Sequence, residues 1–374
     1  MPPLGDLLDQ LSEEPSIEAA LGRREPVIAV ADPGRAFVIA GLVAASDRRP
    51  VLVGTPTQAE AERLAADAAA ILGDDKVLHF PAWETLPFER VSPGVETMGQ
   101  RLALLHRLTS DRPPSLVVAS ARALIQRIDP HAAIDPIEVR PGDQIDPVEL
   151  VEQLVMLGYR REGQVEHRGE VAVRGSIVDV YPSTADAPVR IDLWGDEVER
   201  LTEFAVADQR STEPVESARI YPCREFRPTE ARQARAAELV AEEPWGREQW
   251  DRFADGTLFD GMESWLPWLV EGEHLITDLI GADGLVAFVE PRRLRDRAAE
   301  ILAEEADLAS TLALTWDVAA DDVHRLHLDF DRLMTRTGAA SWSILATPDK
   351  PTTPVVAASG WEPVVGDLSP TISQ

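Results

Sequence analysis

VIAVADPGRAFVIAGLVAAS, residues 27–46, reads as a short apolar strand, a turn around Gly34 and an apolar helix over Arg35–Ala45. This is the order in which a nucleotide-binding α/β protein places its phosphate loop. Such a loop needs several glycines so that backbone N–H groups converge, a lysine for the β- and γ-phosphates, and a hydroxyl for magnesium. The turn formed by Asp32, Pro33, Gly34 and Arg35 offers one glycine and neither the lysine nor the hydroxyl. Pro33 also removes a backbone donor. The stretch therefore predicts the geometry of a phosphate loop in a form that does not bind phosphate. A helix start that attracts an anion weakly is the competing reading.

The same alternation continues outward. Pro50–Gly54, Lys76–Ala82 and Ser115–Ser120 read as strands, and Thr57–Leu72 as a helix with a threonine start and a Gly73 stop. Val95–Leu108 carries Met98, Leu102, Leu105 and Leu108 on one helical face. Short apolar strands between amphipathic helices predict parallel βαβ units covered on both faces. Past Asp129 a proline-rich connection leads into a short helix at Pro147–Leu157 and then into antiparallel patterns. VEHRGEVAVRGSIVDVYP predicts two strands around Arg168–Gly169, and VRIDLWGDEVERLTEF a hairpin turning at Gly195–Asp196. After Arg227 helices return, followed by strands at His274–Leu279 and Leu285–Glu290, a helix at Pro291–Asp307 and a last strand in WSILATP.

The bulk numbers narrow the function. A chain of 374 residues fits two or three domains. Its net charge of −29 repels a phosphodiester backbone over most of the surface, which argues against nonspecific DNA binding. Its single cysteine, Cys223, excludes a disulfide framework within these residues and predicts a reducing, cytoplasmic setting. No apolar run approaches the ~20 residues of a membrane span.

Candidate chemistry is sparse. His324 and His327 in HRLH have helical metal-ligand spacing, but the segment equally fits a strand or a solvated helix face. Asp192, Asp196 and Glu197 invite an acid–base reading, yet Asp196 occupies a turn position that favours aspartate for its backbone preferences. Charge is arranged for contact in one region. Arg160, Arg161, Arg168, Arg174 and Arg190 alternate with acids, with Tyr181 and Trp194 beside them. Arginine and aromatic residues are what protein interfaces enrich, and a solvated sheet face is the alternative.

Three stretches in a fixed order make a family visible: FPAWETLPFERVSPGVETMGQRLALLHRL, VAVRGSIVDVYP and VRIDLWGDEVERLTEFAVADQRS. Together they resemble the N-terminal part of the bacterial transcription-repair coupling factors (Mfd), a region itself similar to the repair helicase subunit UvrB. The resemblance implies an α/β protein with two helicase-like lobes of degenerate phosphate-loop fold and an inserted β-rich α+β domain. The boundaries are then residues 1–133 for the first lobe, 134–226 for the inserted domain, 227–348 for the second lobe and 349–374 for a linker. It also implies that UvrB's long aromatic hairpin is missing, because residues 90–99 run directly into a helix.

The function implied is a non-catalytic adaptor in transcription-coupled nucleotide excision repair, recruiting UvrA to a stalled RNA polymerase through the inserted domain. By position in the motifs, the UvrA-binding residues would be Arg174, Tyr181, Arg190, Asp196 and Glu197, with Arg160 and Arg168 beside them. No catalytic residue, metal or cofactor is expected here. ATP, magnesium, DNA and RNA polymerase would belong to modules beyond Gln374, and a C-terminal domain would mask the UvrA-binding face. The competing readings are a lobe that restrains the translocase motor and a residual helicase-like ATPase.

Overall fold

The computed structural model describes residues 26–336 and 339–356, together with Pro15, Ile17 and Glu18. Along the chain run β1 (Val27–Val30), α1 (Arg35–Ala45), β2 (Val51–Thr55), α2 (Gln58–Leu72), β3 (Val77–Phe80), α3 (Val95–Thr109), β4 (Leu116–Ser120) and α4 (Ala121–Ile125). Local chemistry sets the ends of these elements. The Thr57 hydroxyl accepts from the Glu60 amide while the Glu60 carboxylate accepts from the Thr57 amide, so α2 starts in a reciprocal cap. Gly73 then ends it at φ +102°, a conformation that suits glycine.

The inserted domain holds β5 (Ile137–Val139), α5 (Pro147–Met156), β6 (Arg160–Arg161), β7 (Glu170–Arg174), β8 (Ile177–Val180), β9 (Val189–Trp194), β10 (Glu197–Phe204), β11 (Ser211–Pro214) and β12 (Ala218–Ile220). Six of its strands form one sheet in the order β11-β10-β9-β8-β7-β6, and β5 pairs with β12. The Asp146 side chain accepts from the amides of Val148 and Glu149 and so starts α5. Leu150, Val151 and Leu154 of α5 pack on the alternate residues Val171, Val178, Val180, Ile191, Leu193 and Leu201 of the sheet. One face is thereby buried, and the opposite face is left for polar side chains.

The chain continues through α6 (Glu230–Glu242), α7 (Arg247–Ala254), α8 (Leu266–Leu269), β13 (Leu285–Val289), α9 (Pro291–Trp316), α10 (Phe330–Arg336), β14 (Ala340–Leu345) and β15 (Val355–Val356). Trp250, Trp265 and Trp268, with Phe253 and Phe259, form a separate aromatic core beneath α6, α7 and the end of α9.

The α/β class and the inserted β-rich domain agree with the sequence. The division into two lobes differs. β13 and β14 lie between β1 and β2 in one parallel sheet of order β15-β1-β14-β13-β2-β4-β3. Residues before and after the insertion therefore share both cores. α1 and α2 cover one face through Val38, Ile39, Leu64 and Ala68, and α3, α4 and α9 cover the other through Leu102, Leu124 and Leu294. Hydropathy marks a strand as buried on both faces but says nothing about which strand lies beside it.

Smaller corrections follow the same logic. The hairpin in the inserted domain turns at Gly175–Ser176, where Gly175 sits at φ +64°, rather than at Arg168–Gly169, which form a turn ahead of β7. His274–Leu279 is not a strand; Ile276–Leu279 forms a 3-10 turn whose start is capped by the Asp278 carboxylate. The expected linker contributes β15, paired with β1; its residues 357–374 lie outside the described residues.

Candidate functional site: the outer face of the inserted sheet

The phosphate-loop position is closed by side chains. Asp32–Gly34 forms a 3-10 turn, and the Gly34 amide is spent on the Ala31 carbonyl at 2.9 Å. The Arg35 guanidinium is nearly buried and donates to Asp32 at 2.7 Å and Glu290 at 3.0 Å. Arg63 adds a second pair to Asp32 at 2.9 Å. Asp32, Glu60 and Asp67 border the remaining cavity, which is about 20 Å³. The cations that a phosphate would need already serve carboxylates, and three acids surround the space left.

The two histidines of HRLH diverge. The His324 ring stacks on Trp268 at 4.9 Å, and His327 bonds to the Glu305 carboxylate at 3.0 Å. Among the described residues no group of three or more His, Cys, Asp or Glu side chains could hold a metal, and no helix is long and apolar enough to cross a membrane.

On the inserted sheet, the face away from α5 gathers charge. Asp179, Arg190 and Thr202 are register neighbours across β8, β9 and β10. The next row holds Arg174, Ile177, Asp192 and Arg200. Asp179 is fully buried and accepts from Arg190 twice, Nε to Oδ1 at 2.7 Å and Nη2 to Oδ2 at 2.9 Å. Its Oδ2 also accepts from Arg174. These bonds hold the Arg190 guanidinium above its ordinary pKa, outweighing desolvation. Arg190 lies over the Phe204 ring at 4.8 Å and its side chain is 12% exposed, whereas that of Arg174 is 41% exposed. Trp194 stands two residues beyond Asp192 on the same face and is 80% exposed.

Tyr181 packs against the small apolar cluster of Val165, Ala172 and Phe204 beside Arg190, and the other candidates lie further out. The Tyr181 hydroxyl donates to the Asp186 carbonyl at 2.9 Å. Arg168 lies 5.5 Å from its ring and pairs with Glu96 of α3 at 3.1 Å and Asp186 at 3.2 Å, bracing the domain against the parallel-sheet body. Arg160 is on the edge strand β6, paired with Glu170 at 3.4 Å. That carboxyl is held below its ordinary pKa: burial pushes it up, but the amides of Glu166 and His167 and the His167 ring outweigh burial. Asp196 lies in the β9–β10 turn, where its carbonyl accepts from the Ile145 amide at 2.7 Å, and Glu197 begins β10, paired with Trp194. With strands about 4.8 Å apart, β6 and β10 are separated by roughly 19 Å. The candidate residues thus share one domain but are spread across its sheet, and the exposure of Trp194 is visible only in the structure.

A family model described as the UvrB interaction domain matches residues 137–226, the whole of this sheet. The transcription-repair-coupling factor of Mycobacterium tuberculosis (strain CDC 1551 / Oshkosh) is 35% identical over 340 residues, covering 85% of this chain and 27% of that protein. The chain matches the N-terminal, UvrB-like region of the transcription-repair-coupling factors. The factor of Bacillus subtilis (strain 168) is 32% identical over 224 residues, covering 59% of the chain and 19% of the relative. UvrABC system protein B of Thermotoga petrophila is 27% identical over 235 residues, 59% of this chain and 35% of that protein. The chain thus spans about a quarter of the length of the first coupling-factor relatives it matches.

Proposed function

We propose that this chain is a non-catalytic adaptor region in transcription-coupled nucleotide excision repair, and that the outer face of its inserted domain recruits UvrA. One observation carries the reading: the segment that matches the UvrB interaction domain presents an indole 80% exposed and a half-exposed arginine on one face of its sheet, which no helix covers among the described residues. Large exposed aromatics and arginines are the residues that dominate binding energy when buried in an interface. Trp194, Arg174 and Arg190 share this face, and Tyr181, Arg168, Arg160, Asp196 and Glu197 belong to the rest of the domain surface. The Arg35 pairs and the 20 Å³ space at the former phosphate loop support the absence of ATP chemistry here. ATP and magnesium, DNA and RNA polymerase are assigned to regions outside this chain, and the setting is cytoplasmic.

The test is a calorimetric titration of this chain with purified UvrA, wild type beside Trp194→Ala and Arg174→Ala. Each substitution is expected to weaken binding by about 30-fold, the size of a ~2 kcal/mol hot spot, with circular dichroism unchanged. Wild-type affinity in both variants would remove this face from the UvrA contact. Magnesium-ATP is expected to leave the melting temperature unmoved; a saturable rise would favour the residual ATPase instead.

A further inference from the structure

Buried arginines in this chain are matched by acids, with one exception. Of the four among the described residues, Arg35 pairs with Asp32 and Glu290, Arg101 with Glu225, and Arg232 with Asp129. Arg127, just past α4, is 7% exposed and has no carboxylate within 4.0 Å among the described residues. It donates only to main-chain carbonyls, Nη1 to Arg325 at 3.4 Å and Nη2 to Gly272 at 2.5 Å, and its Nε has no partner. The acids whose charge reaches it are engaged elsewhere. Glu273 pairs with Arg332, and Glu305 accepts from the amides of Leu326 and His327 and bonds to the His327 ring. Burial pulls the Arg127 guanidinium below its ordinary pKa and outweighs the attraction of Glu273 and Glu305. An unpaired buried charge is costly to a fold, and this one calls for an anion from outside the chain.

Arg127 lines an open cleft of about 1670 Å³, bounded by residues 127–131, α6, residues 267–274 and residues 320–332. That exceeds the roughly 300–1,000 Å³ of a small-molecule pocket and suits a length of extended chain. Five arginines and four acids line it, a surplus of one positive charge on a chain whose net charge is −29. Pro130, Pro267, Leu269, Val270 and Val323 add apolar wall. Arg325 is exposed at this cleft, and its guanidinium has no acid partner among the described residues. The exposed His324 ring lies flat on Trp268, at 4.9 Å and 7°, and the indole N–H beneath it also lacks an acceptor. No lining residue belongs to the segment that matches the UvrB interaction domain. We propose that this cleft binds a peptide segment of a partner other than UvrA, one that carries a single Asp or Glu among apolar residues. The carboxylate meets Arg325 at the surface and gives the buried Arg127 its missing counter-charge, while the flanking side chains cover the apolar wall. A nucleic-acid strand fits this lining poorly, because one surplus charge balances one carboxylate and four acids repel a run of phosphates.

The experiment pans a phage-displayed library of random dodecapeptides against the whole chain. Recovered peptides, synthesised with a fluorescent label, are titrated by anisotropy against wild type, Arg325→Ala and Arg127→Gln. Arg325→Ala is expected to keep the wild-type melting temperature and to weaken binding about fivefold. Arg127→Gln is expected to weaken it about tenfold, the size of one charge-assisted hydrogen bond. Exchanging the peptide's acid for its amide should cost about the same in wild type but less than about twofold in Arg127→Gln, because the charge it answers is gone. If Arg127→Gln fails to fold, the same acid-to-amide exchange is read against Arg325→Ala, where its cost should shrink. Peptides that bind independently of Arg325 and Arg127, or that depend on them without carrying an acid, would overturn the inference. So would a single-stranded deoxyoligonucleotide whose binding depends on Arg325 where no peptide's does. UvrA affinity is expected to be unchanged in Arg325→Ala; a loss there would make the cleft part of the UvrA contact and overturn the separate partner.

Discussion

Arg101→Met should destabilise the protein by about 3–5 kcal/mol, the cost of leaving a buried carboxylate without its cation. Arg101 on α3 and Glu225, at the C-terminal end of the inserted domain, are both fully buried. They meet through two contacts, Nε to Oε2 at 2.5 Å and Nη2 to Oε1 at 3.0 Å. Arg101 also donates to the Pro81 carbonyl at 2.7 Å, and its guanidinium stacks 4.1 Å from the Phe80 ring. Methionine would keep much of the apolar packing, so the expected loss is mainly electrostatic. Glu225 would retain only the Trp83 indole N–H at 3.1 Å. Against a typical stability of 5–15 kcal/mol the change is large, and urea unfolding followed by tryptophan fluorescence measures it directly. Glu225→Gln in the Arg101→Met background should recover a substantial part, because the uncompensated charge is then gone. A single substitution costing under about 1 kcal/mol, or a double variant costing the sum of the two singles, would refute the claim that this pair is one desolvated unit.

Other outcomes follow from single sites. Burial pushes the Cys223 thiol up to about 12; a thiol-specific reagent at pH 8 should leave it unmodified until urea unfolds the chain. The folded state holds this proton more tightly than the unfolded one. Stability should therefore fall as pH rises from about 9 towards 12, with a slope of about 1.4 kcal/mol per unit that Cys223→Ala removes from the pH profile. Gly99→Ala should destabilise by about 1–3 kcal/mol despite alanine's better helix propensity, because the new methyl would stand 2.6 Å from Ser183 Cβ where α3 meets the inserted domain; an equal or higher melting temperature would contradict that packing. Thr57→Ala should cost about 1 kcal/mol through loss of the α2 cap, with UvrA affinity unchanged as a check that the loss is remote from the site.

The parallel βαβ character of residues 27–120 is written locally. Apolar runs such as Leu116–Ser120 and cap residues such as Thr57 act within a few positions, and the missing lysine and hydroxyl around Gly34 are visible without coordinates. The hairpin at Gly195–Asp196 follows from turn chemistry in the same way. The residues of the inserted domain with contact potential were also recognisable by type, but their roles were not. Arg174 and Arg190 look alike in sequence, yet both pair with the buried Asp179 while one is 41% exposed and the other 12%. Trp194 could have been core or surface, since an alternating pattern assigns a face and not what covers it. The placement of β13 and β14 between β1 and β2 likewise depends on pairings across more than two hundred residues. Local propensity, capping and patterning therefore determined most of the elements and the strand–turn–helix around Gly34. Strand order, the sharing of one carboxylate by two arginines and the exposure of one indole were decided only by the tertiary structure, because each depends on groups brought together from distant parts of the chain.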